Sequence, residues 1–220
     1  MTQQRIDPDS LIFDMDGTLW DAVDSYCKVW EKTFDDAGIA HTPVSREQLL
    51  AMMGMHLEDI IARLAPQLSG NEKFLSLLDA NERSMMPVLS GRFYPGVRET
   101  IARLSVGRRL FMVSNCGSHG LENFINLAGI RTFITEALSH GGTGKTKAQN
   151  ISDLIGRYSL KSPYYVGDTQ SDADAARAAG AKMIFCSYGF GHVTQPDITI
   201  DCFNQLNDII VLHHPSGLSN

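Results

Sequence analysis

Two aspartates, Asp14 and Asp16, stand two residues apart directly after the apolar run Leu11–Phe13. In an extended chain residues i and i+2 point to the same side, so both carboxylates face one point at the end of a strand. Open α/β sheets bind their ligands at that end, and Gly17 then permits a sharp turn. A bare Asp-x-Asp is equally the pattern of a solvated turn. It does not open a calcium loop, because Leu19 stands where that loop needs glycine. Ser114 closes a second apolar run, Leu110–Val113, where a serine taken alone is a turn former or helix cap. A third run, Tyr164–Val166, meets Asp168 and Asp172, and for Asp172 a helix N-cap is the plain alternative. Together, four carboxylates and one hydroxyl gather at the ends of three strands. Carboxylates crowded around one point repel unless a cation neutralises them. An all-oxygen donor set with few protein groups suits Mg²⁺.

The stretch His140–Lys147, "HGGTGKTK", invites a nucleotide-binding reading. A phosphate loop of the form G-x-x-x-x-G-K-[ST] needs its first glycine five residues before Gly144, and that residue is Ser139. The stretch reads better as a flexible turn that delivers a lysine to a phosphate held elsewhere. Lys147, just before the helical pattern "AQNISDLI", is the favoured lysine. Lys145, two residues earlier, points the same way if the backbone is extended. Cys116 and His119 follow Ser114 closely, but nothing pairs them as a thiol nucleophile and its base, and no histidine spacing suggests a metal site.

The elements that must position these groups alternate. "LIF", "LFMV", "FITEAL", "YYV", "MIF" and "ITI" read as short buried strands, with helical patterns between most of them. That order predicts an α/β, Rossmann-like parallel sheet covered on both faces. From Asp21 to Met86 the pattern is helical without a convincing strand. Val23, Tyr26, Trp30, Phe34 and Ala37 recur at helical spacing and stop at Gly38, and Ser45–Gln48 is a capping box. Such an insert reads as a small all-helical domain at residues 21–86, placed after the first strand of a core made of residues 1–20 and 87–220. Pro87, Gly91, Pro95 and Gly96 mark the return as a loop, and the tail "HHPSGLSN" reads as frayed.

At this point "DMDGTLWD", the strand-end Ser114, the downstream lysine and "GDTQSDADAA" together resemble the four motifs of the haloacid dehalogenase-superfamily phosphatases. The helical insert is similar to their α-helical cap, and "YPGVRETIARL" resembles the phosphoglycolate-phosphatase-like branch. The resemblance implies Asp14 as nucleophile, forming an aspartyl-phosphate, and Asp16 as general acid and then base. It implies Mg²⁺ held by Asp14, the Asp16 carbonyl and Asp168, with Asp172 as a further or supporting ligand. Ser114 and Lys147 would bind phosphate, helped by backbone N–H groups around Met15, Asp16 and Asn115. The family's lysine is usually followed by proline-rich residues, which neither candidate has here. Substrate contacts are expected from cap loops, with Gly54, Met55 and His56 as candidates, and Trp20 is expected to pack at the hinge.

The implied function is a phosphatase acting on a small phosphorylated metabolite, with phosphoglycolate, a sugar phosphate and a nucleotide all open. The cap carries no arginine cluster for a second phosphate. A phosphomutase on the same scaffold is the alternative, although that branch tends to carry Glu-Asp where this chain has Gly167-Asp168. A non-catalytic phosphometabolite-binding protein normally goes with a lost nucleophile, and both aspartates are present. The net charge of −6 over 220 residues gives no general pull toward nucleic acid or an anionic membrane. No apolar run approaches a membrane helix, no signal peptide stands at the N-terminus, and the four scattered cysteines fit a reducing cytoplasm. Nothing in the sequence sets an oligomeric state.

Overall fold

The inner apolar runs are strands because both of their sides are buried, whereas the two edge runs are only partly buried. In the computed structural model, which describes residues 5–213, the chain order is β1 (Ser10–Phe13), β2 (Trp20–Asp21), α1 (Val23–Asp36), α2 (Arg46–Leu50), α3 (Leu57–Leu64), α4 (Glu72–Leu89) and β3 (Arg92–Phe93). There follow α5 (Val97–Leu104), β4 (Arg109–Ser114), α6 (Gly120–Ala128), β5 (Glu136–Ser139), α7 (His140–Thr143), α8 (Lys147–Tyr158), β6 (Pro163–Gly167), α9 (Gln170–Ala179), β7 (Lys182–Cys186), β8 (Ile198–Ile200) and α10 (Leu206–Ile209). Six strands form one parallel sheet in the order β5-β4-β1-β6-β7-β8. Leu11 and Phe13 enter one core cluster, which includes Ile101 of α5, Phe124 of α6 and Leu206 of α10. Ile12 enters the other, with Ile151 of α8 and Ala176 of α9. The alternation is therefore apolar against apolar, as a sheet covered on both faces requires.

The chain leaves β1 for β4 on one side and returns to β6 on the other, so β1 lies at the switch point of the strand order. The register sets Phe13 level with Met112 and with Val166. Asp14, Ser114 and Asp168 consequently emerge within about one residue step of each other, roughly 3.3 Å.

The stretch after β1 is helical, with one addition. Trp20–Asp21 pairs antiparallel with Arg92–Phe93, so a two-residue ribbon ties the outgoing and returning crossings. α1 ends at Ala37 and Gly38, whose φ of 65° turns the chain. The expected capping box at Ser45 and Gln48 is present and opens α2. The return differs from expectation, because α4 continues through Pro87 to Leu89 instead of breaking into a loop. Pro87 lacks only the N–H that would reach Arg83, and a single turn remains beyond it, so little helix is lost. The chain turns at Ser90, where φ is 57°. The tail from residue 214 lies outside the described residues. No helix among the described residues is long and apolar enough to cross a membrane.

Asp21, buried in the ribbon, fixes the first crossing. Its carboxylate accepts from Arg46 Nη2 at 2.5 Å and from the Val23 N–H at 3.2 Å, with Arg92 at 3.5 Å. Burial raises its pKa, but the Arg46 and Val23 hydrogen bonds and the arginine charges outweigh this, so the net shift is downward. A carboxylate held lower in the folded than in the unfolded state stabilises the fold above its unfolded value of about 3.9 and loses that contribution as pH falls through its folded value. Asp21→Asn is therefore expected to lower Tm by roughly 2–4 °C at pH 7. The gap between variant and native protein should close in melts run well below pH 3.9; a gap independent of pH would contradict this role.

Candidate active site

The sharp turn after β1 brings the reacting groups together. Gly17, at φ 77°, lies so close to Asp168 that a Cβ there would stand 2.2 Å from its Oδ2, so only glycine permits the approach. Asp168 is held from two other sides: Thr18 Oγ1 donates to Oδ1 at 3.1 Å and the Phe190 N–H to Oδ2 at 2.7 Å. Asp172 stands at the third position of α9, where Thr169, not Asp172, is the N-cap. Its Oδ2 accepts from the N–H groups of Asp168 and Thr169 and from the Thr169 hydroxyl, at 2.8–3.2 Å. Asp172 thus closes a capping box and still presents Oδ1 to the site.

That Oδ1 accepts from Lys147 Nζ at 2.5 Å, and the same ammonium donates to Asp14 Oδ1 at 3.0 Å. Lys147 is the first residue of α8, behind the Thr146–Gln149 capping box, and is buried. Lys145, outside the helix, turns away and pairs with Asp153 at 2.5 Å in an exposed position. The glycine-rich stretch before them is not a flexible turn but the one-turn helix α7, capped by Ser139. One of its glycines serves packing: a Cβ at Gly141 would stand 2.6 Å from the Ser118 backbone nitrogen. Gly141 thereby leaves room for the segment after Ser114.

Asp14, Asp168 and Asp172 each offer an oxygen, all within 4.8 Å of one another, and all three residues are buried. Burial pushes Asp14 above the usual carboxylate range, with Lys147 opposing, and pushes Asp168 up together with the charges of Asp172 and Asp14. One ammonium faces three crowded carboxylates, which leaves an excess of negative charge. A hard divalent cation with oxygen ligands fits this donor set and the excess charge. Asp16 differs in kind. Burial, then the charge of Asp14, lifts its carboxyl well above the usual range, although Trp20 Nε1 donates to its Oδ1 at 2.9 Å. Burial and the Asp14 charge both favour its protonated form.

A cavity of about 100 Å³ lies over these groups, lined on one side by Asp14, Asp16, Ser114, Asn115 and Lys147. The Met15 side chain turns away from the cavity into the core. Asn115 Nδ2 donates to the Gly54 carbonyl at 2.8 Å and so ties the strand end to the loop before α3. Gly54 and Met55 line the cavity as expected; His56 instead packs on His140, ring centroids 4.1 Å apart. Burial pushes the Cys116 thiol up to about 12, so it stays protonated and no thiolate is available. Trp20 is fully buried between Phe93 and Phe124, and its bond to Asp16 is a contact that sequence reading missed. Also missed were Tyr26, Trp30 and Glu82, which line the cavity from α1 and α4. Glu82 did leave a signal: it interrupts the buried stripe Phe74, Leu78, Met86 at the position four residues from each neighbour.

Comparison with known proteins agrees with this geometry. Residues 11–186 match the family described as haloacid dehalogenase-like hydrolase. A phosphoglycolate phosphatase of Aliivibrio fischeri is 27% identical over 216 residues, covering 89% of this chain and 93% of that protein. One of Nitrosococcus oceani is 26% identical over 226 residues, covering 92% and 96%. Among solved structures, a predicted phosphoglycolate phosphatase from Haemophilus somnus has a TM-score of 0.78 at 21% identity, covering 91% of this chain and 97% of its own. A haloacid dehalogenase-like hydrolase from Streptococcus pneumoniae has a TM-score of 0.75 at 20% identity, covering 87% and 93%. With the family match spanning most of the chain, from β1 to the end of β7, this protein belongs to the haloacid dehalogenase-like hydrolases.

Proposed function

We propose that this hydrolase is a Mg²⁺-dependent phosphatase of a small phosphorylated metabolite, working through an aspartyl-phosphate on Asp14. The observation that carries the reading is the Lys147 ammonium, held between Asp14 and Asp172, on the floor of the one cavity that Asp14, Asp16 and Ser114 also line. The name shared by the relatives supports phosphomonoester hydrolysis. In the same proposal residues 21–86 act as a cap over a core of residues 1–20 and 87–220.

Phosphate oxygens would be held by the Ser114 hydroxyl, the Lys147 ammonium and backbone N–H groups at Met15, Asp16 and Asn115. Lys147 occupies Asp14 Oδ1, which leaves Oδ2 to attack phosphorus as the ester P–O bond breaks. Asp16 gives its proton to the departing alkoxide. It then takes a proton from the water that attacks the aspartyl-phosphate, which frees Asp14 and releases phosphate. Trp20 holds the Asp16 carboxyl during both transfers. Asp14, the Asp16 carbonyl, Asp168 and Asp172 would hold Mg²⁺, whose charge offsets the repulsion between anionic nucleophile and anionic ester.

Hydrolysis of p-nitrophenyl phosphate tests the reading directly. Turnover is expected with Mg²⁺ and not in chelator, with Asp14→Asn at background and Asp16→Asn reduced about 10²–10⁴-fold. Full turnover by Asp14→Asn would sink the proposal. Trp20→Phe, which keeps the ring and loses the N–H, should lower kcat roughly tenfold with KM little changed. An equal loss in 1/KM would point to a packing role instead. Metal binding has a readout free of activity. Mg²⁺ should raise the Tm of native protein by several degrees, and Asp168→Asn should abolish most of that rise.

A further inference from the structure

The cavity over Asp14 has two unlike halves. Its floor is polar, whereas the walls contributed by residues 21–86 are apolar, with Val29, Trp30, Leu49, Met53, Ile60 and Leu78 among them. No lysine, arginine or histidine from that segment lines it. The side chains of the segment that can ionise or donate are Tyr26, Glu82 and, through its indole N–H, Trp30. Neither the Glu82 carboxylate nor the Tyr26 hydroxyl makes a hydrogen bond or ion pair among the described residues. Glu82 sits close enough for its charge to raise Asp16, Tyr26 and Cys116.

An unpaired carboxylate on the apolar stripe of a helix is costly, because leucine or methionine there would pack better. Glu82 is half-buried and is the one charged side chain that this segment turns to the cavity, which makes it the group available to pair with a bound molecule. The charge around it limits what that partner is. A leaving group with its own carboxylate, such as glycolate, would set a second anion against Glu82, with no cation on the walls to meet it. A sugar would bring several hydroxyls to walls that offer few partners. A short chain ending in an ammonium meets each condition. Its methylenes lie on the apolar walls, its charge pairs with Glu82, and the faces of Tyr26 and Trp30 are favourable neighbours for a cation.

We infer that Glu82 is the specificity-determining residue and that the substrate is the phosphate monoester of a short amino alcohol, with phosphate over Asp14 and ammonium at Glu82. The inference rests on the phosphatase function proposed above. The burial that pushes Glu82 up to about 7 in the free protein fits a carboxyl that ionises fully only against a cation.

The test is kcat/KM, with Mg²⁺, for O-phosphoethanolamine, 2-phosphoglycolate, propyl phosphate and p-nitrophenyl phosphate. The amine should exceed the carboxylate and the neutral ester by about tenfold or more. Glu82→Gln should cut the amine-to-neutral ratio by a similar factor, and Glu82→Lys should reverse the order of amine and carboxylate. Aryl phosphate turnover by native protein together with a preference for 2-phosphoglycolate, or none, overturns the amine assignment and leaves the phosphatase function standing. An amine-to-neutral ratio unmoved by Glu82→Gln overturns it equally. No turnover of any ester overturns the phosphatase function and this assignment with it.

Discussion

The structure is organised around negative charge that has nowhere to go. Asp14, Asp168 and Asp172 are buried within 4.8 Å of one another, and one ammonium, Lys147, bridges two of them. Removing charges from water costs several kcal/mol per ion unless partners replace the solvent. Each carboxylate here is supplied with partners from a different element. Thr18 and Phe190 hold Asp168, the start of α9 holds Asp172, and the first residue of α8 holds Asp14. The sheet order follows from the same need. β6 on one side of β1 brings Asp168 and, through α9, Asp172 to Asp14, and β4 on the other side brings Ser114.

Burial that is a burden for stability becomes useful for chemistry. Asp14 and Asp16 have similar sequence surroundings and opposite electrostatic ones. The first has an ammonium against its oxygen. The second has only a neutral indole N–H and faces the charge of the first. Two carboxyls whose environments separate their proton affinities can divide the roles of nucleophile and acid between them. The separation comes from one lysine, and that lysine is placed by a helix start and its capping box instead of by a loop.

Much of this was readable in the residues. The four inner strands of the sheet were visible as short apolar runs because each is buried on both faces. The edge strands β5 and β8 are only partly buried, and β5 runs Glu136–Ser139 instead of Phe133–Leu138. Gly38 and the Ser45 box marked helix ends correctly. What escaped depends on contacts distant in sequence. The ribbon Trp20–Asp21 with Arg92–Phe93 is two residues long, too short for any period to declare it. α4 runs past Pro87 because a proline near a helix end removes one bond, while the packing of α4 on α1 holds the rest. The choice between Lys145 and Lys147 rested on where α8 begins, and a shift of one or two residues in a helix start decides which side chain turns inward. Glu82 was hidden for another reason. Its position in a stripe is plain, but a charged residue in a stripe is informative only once the stripe is known to face a cavity.

Trp20 shows how the two parts of the chain constrain one another. Its ring packs on Phe93 of the returning crossing and on Phe124 of the core helix α6, and its N–H meets Asp16. A smaller residue would leave a void where both crossings meet. A Phe would fill much of that space yet leave Asp16 without its only side-chain hydrogen bond among the described residues. The fold therefore needs bulk at this position, and the proposed chemistry needs a donor on that bulk. Tryptophan satisfies both because its apolar body and its single N–H point in different directions. The proposed acid is thus held by the same side chain that fixes the joint through which the helical segment leaves and rejoins the sheet.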